Sequence, residues 1–276
     1  MQERRQKIVE FVNRLGTVSF AQLKAAFPEV SEMTLRTDLK ALDEERRLVR
    51  VHGGAKSVEV IVGTDDFLLR RAQRAAPEKA LIAQKSLGLL RPDMTIYLDS
   101  GSTTTALARL IPDERYQIFT NSLSCANELL RLTKARVFLP GGFLNRYSQS
   151  LCGIQPMQSI GRVNFDLALI GTTSYADKTG FSCGMEEEAQ LKRAVIAQAE
   201  RSYVLMDAGK VGLTSAFSFA SLADVDGIVS DDALPAGVAE ACRALGKQVL
   251  CPLTRHSTVS GCCYPNGLAP CQNKKR

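Results

Sequence analysis

The chain has 276 residues, 45% of them hydrophobic and 23% charged, with a formal net charge of +6. That length holds a small domain of about sixty residues beside a larger one of about 150–200, each with its own core. No apolar run is long enough to cross a bilayer, the charged start (Glu3, Arg4, Arg5, Lys7) has no signal-peptide core, and the positive excess is too sparse for a protein that coats nucleic acid without regard to sequence.

The charge is unevenly placed. Residues 1–56 carry eleven Lys/Arg against eight Asp/Glu, residues 252–276 carry four cations and no acid, and the middle is slightly acidic. A basic head on a near-neutral body fits a DNA module joined to a small-molecule-binding domain. None of the eight cysteines forms a Cys-x-x-Cys pair, and the only histidines are His52 and His256. Reduced thiols in the cytoplasm are expected, with no structural zinc, no other metal and no cofactor.

In chain order, Ile8, Phe11, Val12 and Leu15 mark an amphipathic helix ending at Gly16. Ser19-Phe20-Ala21-Gln22 fits a capping box opening a second helix, which continues through Leu23, Ala26 and Phe27 and stops at Pro28. A tight turn, Pro28-Glu29-Val30, leads to Ser31, a good N-cap for a third helix. There Leu35, Leu39 and Leu42 form one apolar stripe, and Glu32, Arg36 and Lys40 form another stripe with Thr37 beside it. The polar stripe suits base edges and phosphates in a major groove. An ordinary amphipathic surface helix has the same periodicity. What precedes it decides between them, because helix, helix, tight turn and helix with a cationic face is the helix-turn-helix order. Leu48-Val49-Arg50-Val51 followed by His52-Gly53-Gly54-Ala55 reads as a wing with a sharp glycine turn.

Residues 58–76 have mixed composition and read as a linker, with some local order around Phe67-Leu68-Leu69-Arg70. A helix is predicted from about Pro77. From Met94 onward one pattern recurs, an apolar β-prone run followed by small polar residues and then a helical stretch. The runs are Met94–Leu98, Tyr116–Phe119, Ala135–Leu139, Phe165–Ile170, Tyr203–Met206 and Gly227–Val229. Near-continuous apolar strands alternating with helices argue a mostly parallel α/β sheet covered on both faces. Ligands bind such sheets outside the carboxyl ends of the strands.

The sharpest of these ends is Ser100 to Thr104. A strand ends at Asp99, Gly101 allows close backbone approach, and hydroxyls follow as a helix begins near Thr104. Free N–H groups and the positive helix end favour an anion, phosphate above all. An ordinary βα turn has the same look, and the spacing is not that of a P-loop. Other strand ends offer Asn121 and Ser122, Gly141 and Gly142, and Asp207 and Lys210. The glycine pair reads equally as a turn, and Lys210 equally as a surface lysine. Glu186-Glu187-Glu188 reads as acids favoured at a helix N-terminus. The boundaries predicted are a winged helix-turn-helix domain at 1–57, a linker at 58–76, an α/β effector domain at 77–251 and a disordered tail at 252–276.

Arg5…Ile8, Val18-Ser19…Leu23, Val30-Ser31-Glu32-Met33-Thr34-Leu35-Arg36-Thr37-Asp38-Leu39 and Arg50-Val51-His52-Gly53-Gly54-Ala55 together resemble the N-terminal domain of the DeoR family of bacterial transcriptional regulators. The resemblance implies contacts to double-stranded operator DNA from Ser19, Ser31, Glu32, Met33, Thr34, Arg36, Thr37 and Lys40, and from Arg50, His52 and Gly53 of the wing. Family members commonly carry two arginines before the aspartate, and here the second is Thr37. Asp99–Thr104, Thr120–Leu123, Pro140–Gly142, Leu151–Gly153, Asp166…Gly171, Ala189…Arg193 and Asp207…Lys210 are similar to the family's sensor domain, which is similar in fold to ribose-5-phosphate isomerase and related sugar-phosphate enzymes. That likeness implies a phosphorylated sugar or related metabolite as effector. Ser100, Gly101, Ser102, Thr103 and Thr104 would hold its phosphate, and Asp99, Asn121, Asp207 and Lys210 would line the pocket. Ala208-Gly209 stands where a serine pair is common. The function expected is a repressor acting as a homodimer or homotetramer, with no membrane partner. The competing reading is a sugar-phosphate isomerase or hydrolase carrying a DNA-binding head, since fold does not fix function. Against that reading, the sequence shows no obvious acid–base constellation.

Overall fold

A computed structural model describes residues 2–15, 17–45, 47–51, 53–57 and 68–251. Gly16, His52 and the tail 252–276, on which expectations were placed, lie outside the described residues, as does the predicted linker up to residue 67.

The head consists of α1 (Gln2–Leu15), β1 (Thr17–Ser19), α2 (Phe20–Ala26), α3 (Glu32–Glu44), β2 (Val49–Val51) and β3 (Gly54–Lys56). Its core is made by Ile8 and Val12 of α1, Leu23 of α2, and Leu35, Leu39 and Leu42 of α3, all essentially inaccessible. Leu15, expected on the inner face of α1, is 49% exposed, and Val9 is buried instead. The inner face of α1 therefore runs through positions 8, 9 and 12 and has turned away by the last turn. Behind α3, buried Asp38 accepts hydrogen bonds from Arg4 Nε at 2.6 Å and Arg5 Nε at 2.9 Å, fastening α1 to α3. Burial alone would raise the Asp38 pKa, but the bonds from the two arginines outweigh it and the carboxyl sits below its ordinary value. Lys24 Nζ donates to the carbonyls of Pro28 and Val30, at 3.0 and 2.7 Å, and so holds the turn between α2 and α3.

Strand β1 was not anticipated from the sequence. It pairs antiparallel with β3, which pairs with β2, giving the order β1-β3-β2. Gly53 turns the wing at φ +80, and a Cβ on Gly54 would run into the Val18 carbonyl. The two glycines thus do different work, one supplying a left-handed turn and the other the close approach of β1 and β3. The Phe20 N–H donates to the Gly53 carbonyl at 2.7 Å, tying the wing turn to the start of α2.

The body begins with α4 (Leu68–Gln73) and α5 (Ala76–Ser86). Residues 68–73 fall within the segment read as linker, yet they form a helix packed on α6 (Ser102–Leu110). Strands β4 (Thr95–Leu98), β5 (Gln117–Phe119) and β6 (Arg136–Phe138) follow, with α7 (Leu123–Leu129) between the last two. Next come the hairpin β7 (Phe143–Asn145) and β8 (Ser150–Cys152), α8 (Ile154–Ile160), β9 (Leu167–Gly171), β10 (Ser174–Ala176) and β11 (Gly180–Cys183). The chain closes with α9 (Glu186–Gln198), β12 (Ser202–Leu205), β13 (Phe217–Ala220), β14 (Gly227–Val229), α10 (Ala236–Ala244) and β15 (Gln248–Leu250).

Seven of these strands form one parallel sheet in the order β15-β14-β12-β9-β4-β5-β6. Alternate strand residues feed two cores. Ile96, Leu98, Leu169 and Leu205 pack under α5, α6 and α7, while Tyr97, Ala168, Ile170 and Val204 pack under α8, α9 and α10. Burial on both faces explains why the strands read as continuous apolar runs. The rule of strand then helix fails three times. The segment after β6 enters the β7–β8 hairpin, the segment after β9 enters a three-stranded antiparallel sheet, β10-β11-β13, and the segment after β12 supplies β13, the last strand of that sheet, before β14. From β4 the chain goes to β5 and β6 on one side, whereas β9 lies on the other side and leads on to β12. The neighbours β4 and β9 are therefore the topological switch point, where a crevice opens beyond the strand ends. Among the described residues no helix is long and apolar enough to cross a membrane.

Candidate functional site

Two surfaces carry the chemistry. On the head, α3 presents Glu32, Met33, Arg36, Thr37 and Lys40 to solvent, with Met33 75% exposed. The Arg36 guanidinium lies 4.3 Å from the centre of the Phe20 ring, a cation–π contact that orients its base while leaving the fork free. Lys40 is only loosely paired with Glu44, at 3.9 Å and with both exposed, so it is available to a phosphate. Arg50 and Gly53 of the wing are also exposed.

Three predicted DNA contacts have a structural task as well. The Ser19 hydroxyl accepts from the Gln22 N–H at 3.2 Å while the Gln22 side chain accepts from the Ser19 N–H, the reciprocal box that starts α2. The Ser31 hydroxyl accepts from the Thr34 N–H at 3.1 Å and lies 2.8 Å from the Thr34 hydroxyl, capping α3. Thr37 donates its hydroxyl to the Met33 carbonyl at 2.9 Å.

On the body, a cavity of about 270 Å³ opens at the switch point. It is lined by Ser100, Gly101, Ser102, Thr103 and Thr104 after β4, Gly171, Thr172 and Thr173 after β9, and Asp207, Gly209 and Lys210 after β12. Helix α6 starts at Ser102, two residues earlier than predicted, with Gly101 (φ +149) as an N-cap that offers no side chain. The hydroxyls of Thr104 and Thr105 donate back to the Gly101 carbonyl at 2.9 and 2.7 Å, which fixes the loop. The first-turn N–H groups of α6 have no intrahelical acceptor, so the helix end can receive an anion.

The electrostatics point the same way. Arg71, Arg74, Lys79, Lys192 and Lys210 line the cavity against the carboxylates of Glu188 and Asp207. Lys192 Nζ bonds to Asp99 Oδ2 and donates to the Gly171 carbonyl at 3.0 Å. Burial pulls the Lys192 pKa down, but the Asp99 charge leads the opposing effects that leave it above the ordinary lysine value. Lys210 donates to the Thr172 carbonyl, and its pKa is lowered to about 8, first by burial, against the pull of Asp207 and with the push of Lys79, Arg71 and Lys192. Burial lowers Lys79 as well. Burial is the first cause of both depressed lysines, and the neighbouring cations add to it.

Several expectations need correction. Asp99 is 2% exposed and does not line the cavity. Its carboxylate is taken up by Lys192 and by the Gly171 N–H at 2.8 Å, so in this structure it positions a cation. Asn121 lies outside the cavity lining, its Oδ1 accepting from the Tyr97 hydroxyl at 3.0 Å. Ser122 caps α7, accepting from the Cys125 N–H at 3.1 Å. Gly141 and Gly142 are away from the cavity, and Gly142 is required because a Cβ there would meet the Cys152 carbonyl and Pro156.

The sequence pattern assigned no site role to Arg71, Arg74, Lys79, Glu188 or Lys192. A signal existed for three of them. Lys79 shares the inward face of α5 with Ile82, Ala83 and Ser86, at i, i+3, i+4 and i+7, and Glu188 and Lys192 share that of α9 with Leu191 and Val195. A charge on a core stripe marks a buried polar site. Among the described residues no His, Cys, Asp and Glu group is placed to hold a metal ion.

Comparison with known proteins matches both domains. A family model described as a DeoR-like helix-turn-helix domain matches residues 4–60, and one described as a DeoR C terminal sensor domain matches residues 74–232. The HTH-type transcriptional regulator YgbI of Escherichia coli K12 is 33% identical over 249 residues, covering 90% of this chain and 95% of its own. A provisionally named aga operon transcriptional repressor of E. coli O157:H7 is 33% identical, with 90% and 93% coverage. The L-fucose operon activator of Haemophilus influenzae is 31% identical, with 88% and 96% coverage. Among solved structures, ribose 5-phosphate isomerase A of Methanocaldococcus jannaschii aligns over 50% of this chain and 55% of its own, with a TM-score of 0.36 and 16% identity.

Proposed function

The chain belongs to the DeoR family of DNA-binding transcriptional regulators, and from that premise we propose that it represses a carbohydrate-utilisation operon and releases its operator when a phosphorylated sugar enters the cavity at the β4/β9 switch point. The observation that supports the effector reading most directly is the lining itself, where five cations face two carboxylates and the open end of α6. Phosphate meets the helix end and the cations, while Glu188, Asp207 and the hydroxyls of Thr172 and Thr173 suit the hydroxyls of a sugar. On the head, Arg36 and Lys40 reach DNA from α3, and Arg50 and the Gly53 turn meet the backbone from the wing. The protein acts as a dimer or higher oligomer, matching a two-fold operator. Repression is favoured over activation only by the names of relatives, among which an activator also stands.

The DNA half of this reading is tested by Arg36→Ala, which is expected to weaken operator binding by about 1–3 kcal/mol and relax sequence preference, and by Lys40→Ala, which is expected to flatten the salt dependence. Fluorescence anisotropy against the operator at several salt concentrations reads both. Unchanged affinity with both residues removed would overturn the assignment of α3.

The effector half is tested on the full chain by thermal shift with hexose 6-phosphates, ribose 5-phosphate and their unphosphorylated forms. A compound that binds only the folded state raises the midpoint. The shift is expected with a phosphorylated compound only, and to be larger at pH 7 than at pH 9. The sign follows from Lys210. Its ammonium is present below about 8 and is lost above it, whereas a sugar phosphate, with a second pKa of about 6, is dianionic at both pH values. Saturable binding without product identifies a sensor; steady turnover would instead favour the isomerase reading.

A further inference from the structure

One part of the cavity wall comes from an unexpected place. Helix α4 and the residues after it supply Arg71, Arg74 and Ala75. Arg71 Nε and Nη2 are buried without a hydrogen-bond partner among the described residues. Two buried guanidinium N–H positions without a protein acceptor among the described residues are costly to leave so, and they lie beside a cavity suited to an anion. The C-terminus of α4 is held by the same cavity. Lys79 Nζ donates to the carbonyls of Arg71 and Arg74, and the chain then turns at Ala75 with φ +51, a conformation uncommon for a residue other than glycine. Lys79 is only 5% exposed, so its ammonium is divided between the end of α4 and whatever enters the cavity. In sequence, α4 is the first described element after the head, with ten residues between Ser57 and its first residue, Leu68.

We propose that Arg71 clamps the anionic group of the effector against the N-terminus of α6, and that α4, fixed by this contact, is the element through which effector binding reaches the DNA-reading head. The inference rests on the reading of this cavity as the effector site and assigns the clamp and the route of coupling. A guanidinium fork matches two phosphate oxygens at once, which a lysine at the same position does not. Coupling requires an element with different ligand affinity in its two arrangements. A helix that carries Arg71, two of whose N–H groups lack an acceptor among the described residues, and whose C-terminal carbonyls take Lys79 from the cavity wall, is placed to be such an element.

The test compares the full-length wild type with Arg71→Gln and Arg71→Lys, using inorganic phosphate, ribose 5-phosphate and a hexose 6-phosphate as probes. Isothermal titration gives affinity, and anisotropy gives operator affinity without probe and at saturating probe. For Arg71→Gln we expect at least about a tenfold loss of probe affinity. Operator affinity without probe is measured for each protein, so that the response to probe is read as a ratio. At concentrations that saturate the variant, the change in operator affinity should be smaller than in wild type. Arg71→Lys should recover part of the probe affinity and less of the coupling. If wild type binds none of the probes, the effector reading itself fails and the clamp with it. If wild type binds and Arg71→Gln binds and responds equally, the cavity stands and the clamp is overturned. Weakened binding with full coupling at saturation would keep Arg71 as a ligand contact and overturn α4 as the route. A variant that melts early without probe is replaced by Arg71→Lys, which keeps the charge.

Discussion

Replacing Asp38 by alanine is expected to destabilise the head strongly while the body keeps its structure. The carboxylate is 2% exposed and takes two arginines, which are themselves 32% and 18% exposed. Removing one partner of a fully buried pair costs roughly 3–5 kcal/mol. Here the arginines recover some water, so about 2–3 kcal/mol is the expected loss. A head of about sixty residues has only about 3–9 kcal/mol of stability to lose. Operator binding should therefore fall sharply with temperature, while effector binding in the body is retained. Hydrogen exchange reads the difference, with α1 and α3 losing protection and β4 and β12 keeping theirs. Equal protection of α1 and α3 in variant and wild type would show that the apolar core alone holds these helices together. The pH dependence has a definite sign. Because the folded Asp38 pKa lies below its ordinary value, its contribution is present above the ordinary carboxylate range, near about 4, and disappears as pH falls through the lowered folded value. Variant and wild-type heads should converge in stability in acid and differ fully at neutral pH.

Asp99→Ala is expected to be as damaging in the body. Asp99 and Lys192 are 2% and 5% exposed, so neither has water to fall back on. The substitution leaves a buried ammonium and removes the acceptor of the Gly171 N–H, for an expected loss of about 3–5 kcal/mol. With Asp99 gone, burial governs Lys192, its pKa falls, and one of the cavity's cations is weakened. Urea unfolding of Asp99→Ala and of the double variant Asp99→Ala/Lys192→Met checks the cause. The double variant should be more stable than the single one, because the orphaned charge has gone, yet it should still bind effector weakly. A double variant no more stable than Asp99→Ala would mean that the loss comes from the loop and not from the pair.

What was legible in the sequence was whatever is encoded locally. The leucine stripe of α3, the Ser19–Gln22 box and the Ser31 cap depend on residues three or four apart, and the structure has all of them. The strands of the parallel sheet were legible because burial on both faces leaves no polar interruption. Short antiparallel pieces were not. Strand β1 has three residues and exists because Gly54 lets β3 approach it, and β11 takes β13 as its second partner from far along the chain, Phe181 lying opposite Ala220. The same limit applies to the cavity. The Ser100–Thr104 loop announces itself by composition, but Lys192 reaches Asp99 from ninety-three residues away, and Arg71 stands in a stretch whose mixed composition reads as linker. Asn121 failed in the opposite sense, because a polar residue at a strand end looks like a ligand contact when it is in fact satisfied by Tyr97.

Helix α3 divides its duties cleanly between its two sides. Leu35, Asp38, Leu39 and Leu42 fix it from behind, and Glu32, Met33, Arg36, Thr37 and Lys40 stand in solvent. Substitutions at the second set are expected to cost little in folding, because exposed helix positions away from caps and cores change stability by roughly half a kcal/mol. The address read on DNA can then drift by single steps, each tolerated by the fold without a compensating change elsewhere. A duplicated copy of such a regulator is free to acquire a new operator while keeping the same scaffold and the same sensor, and divergence of target and of signal become separate evolutionary events.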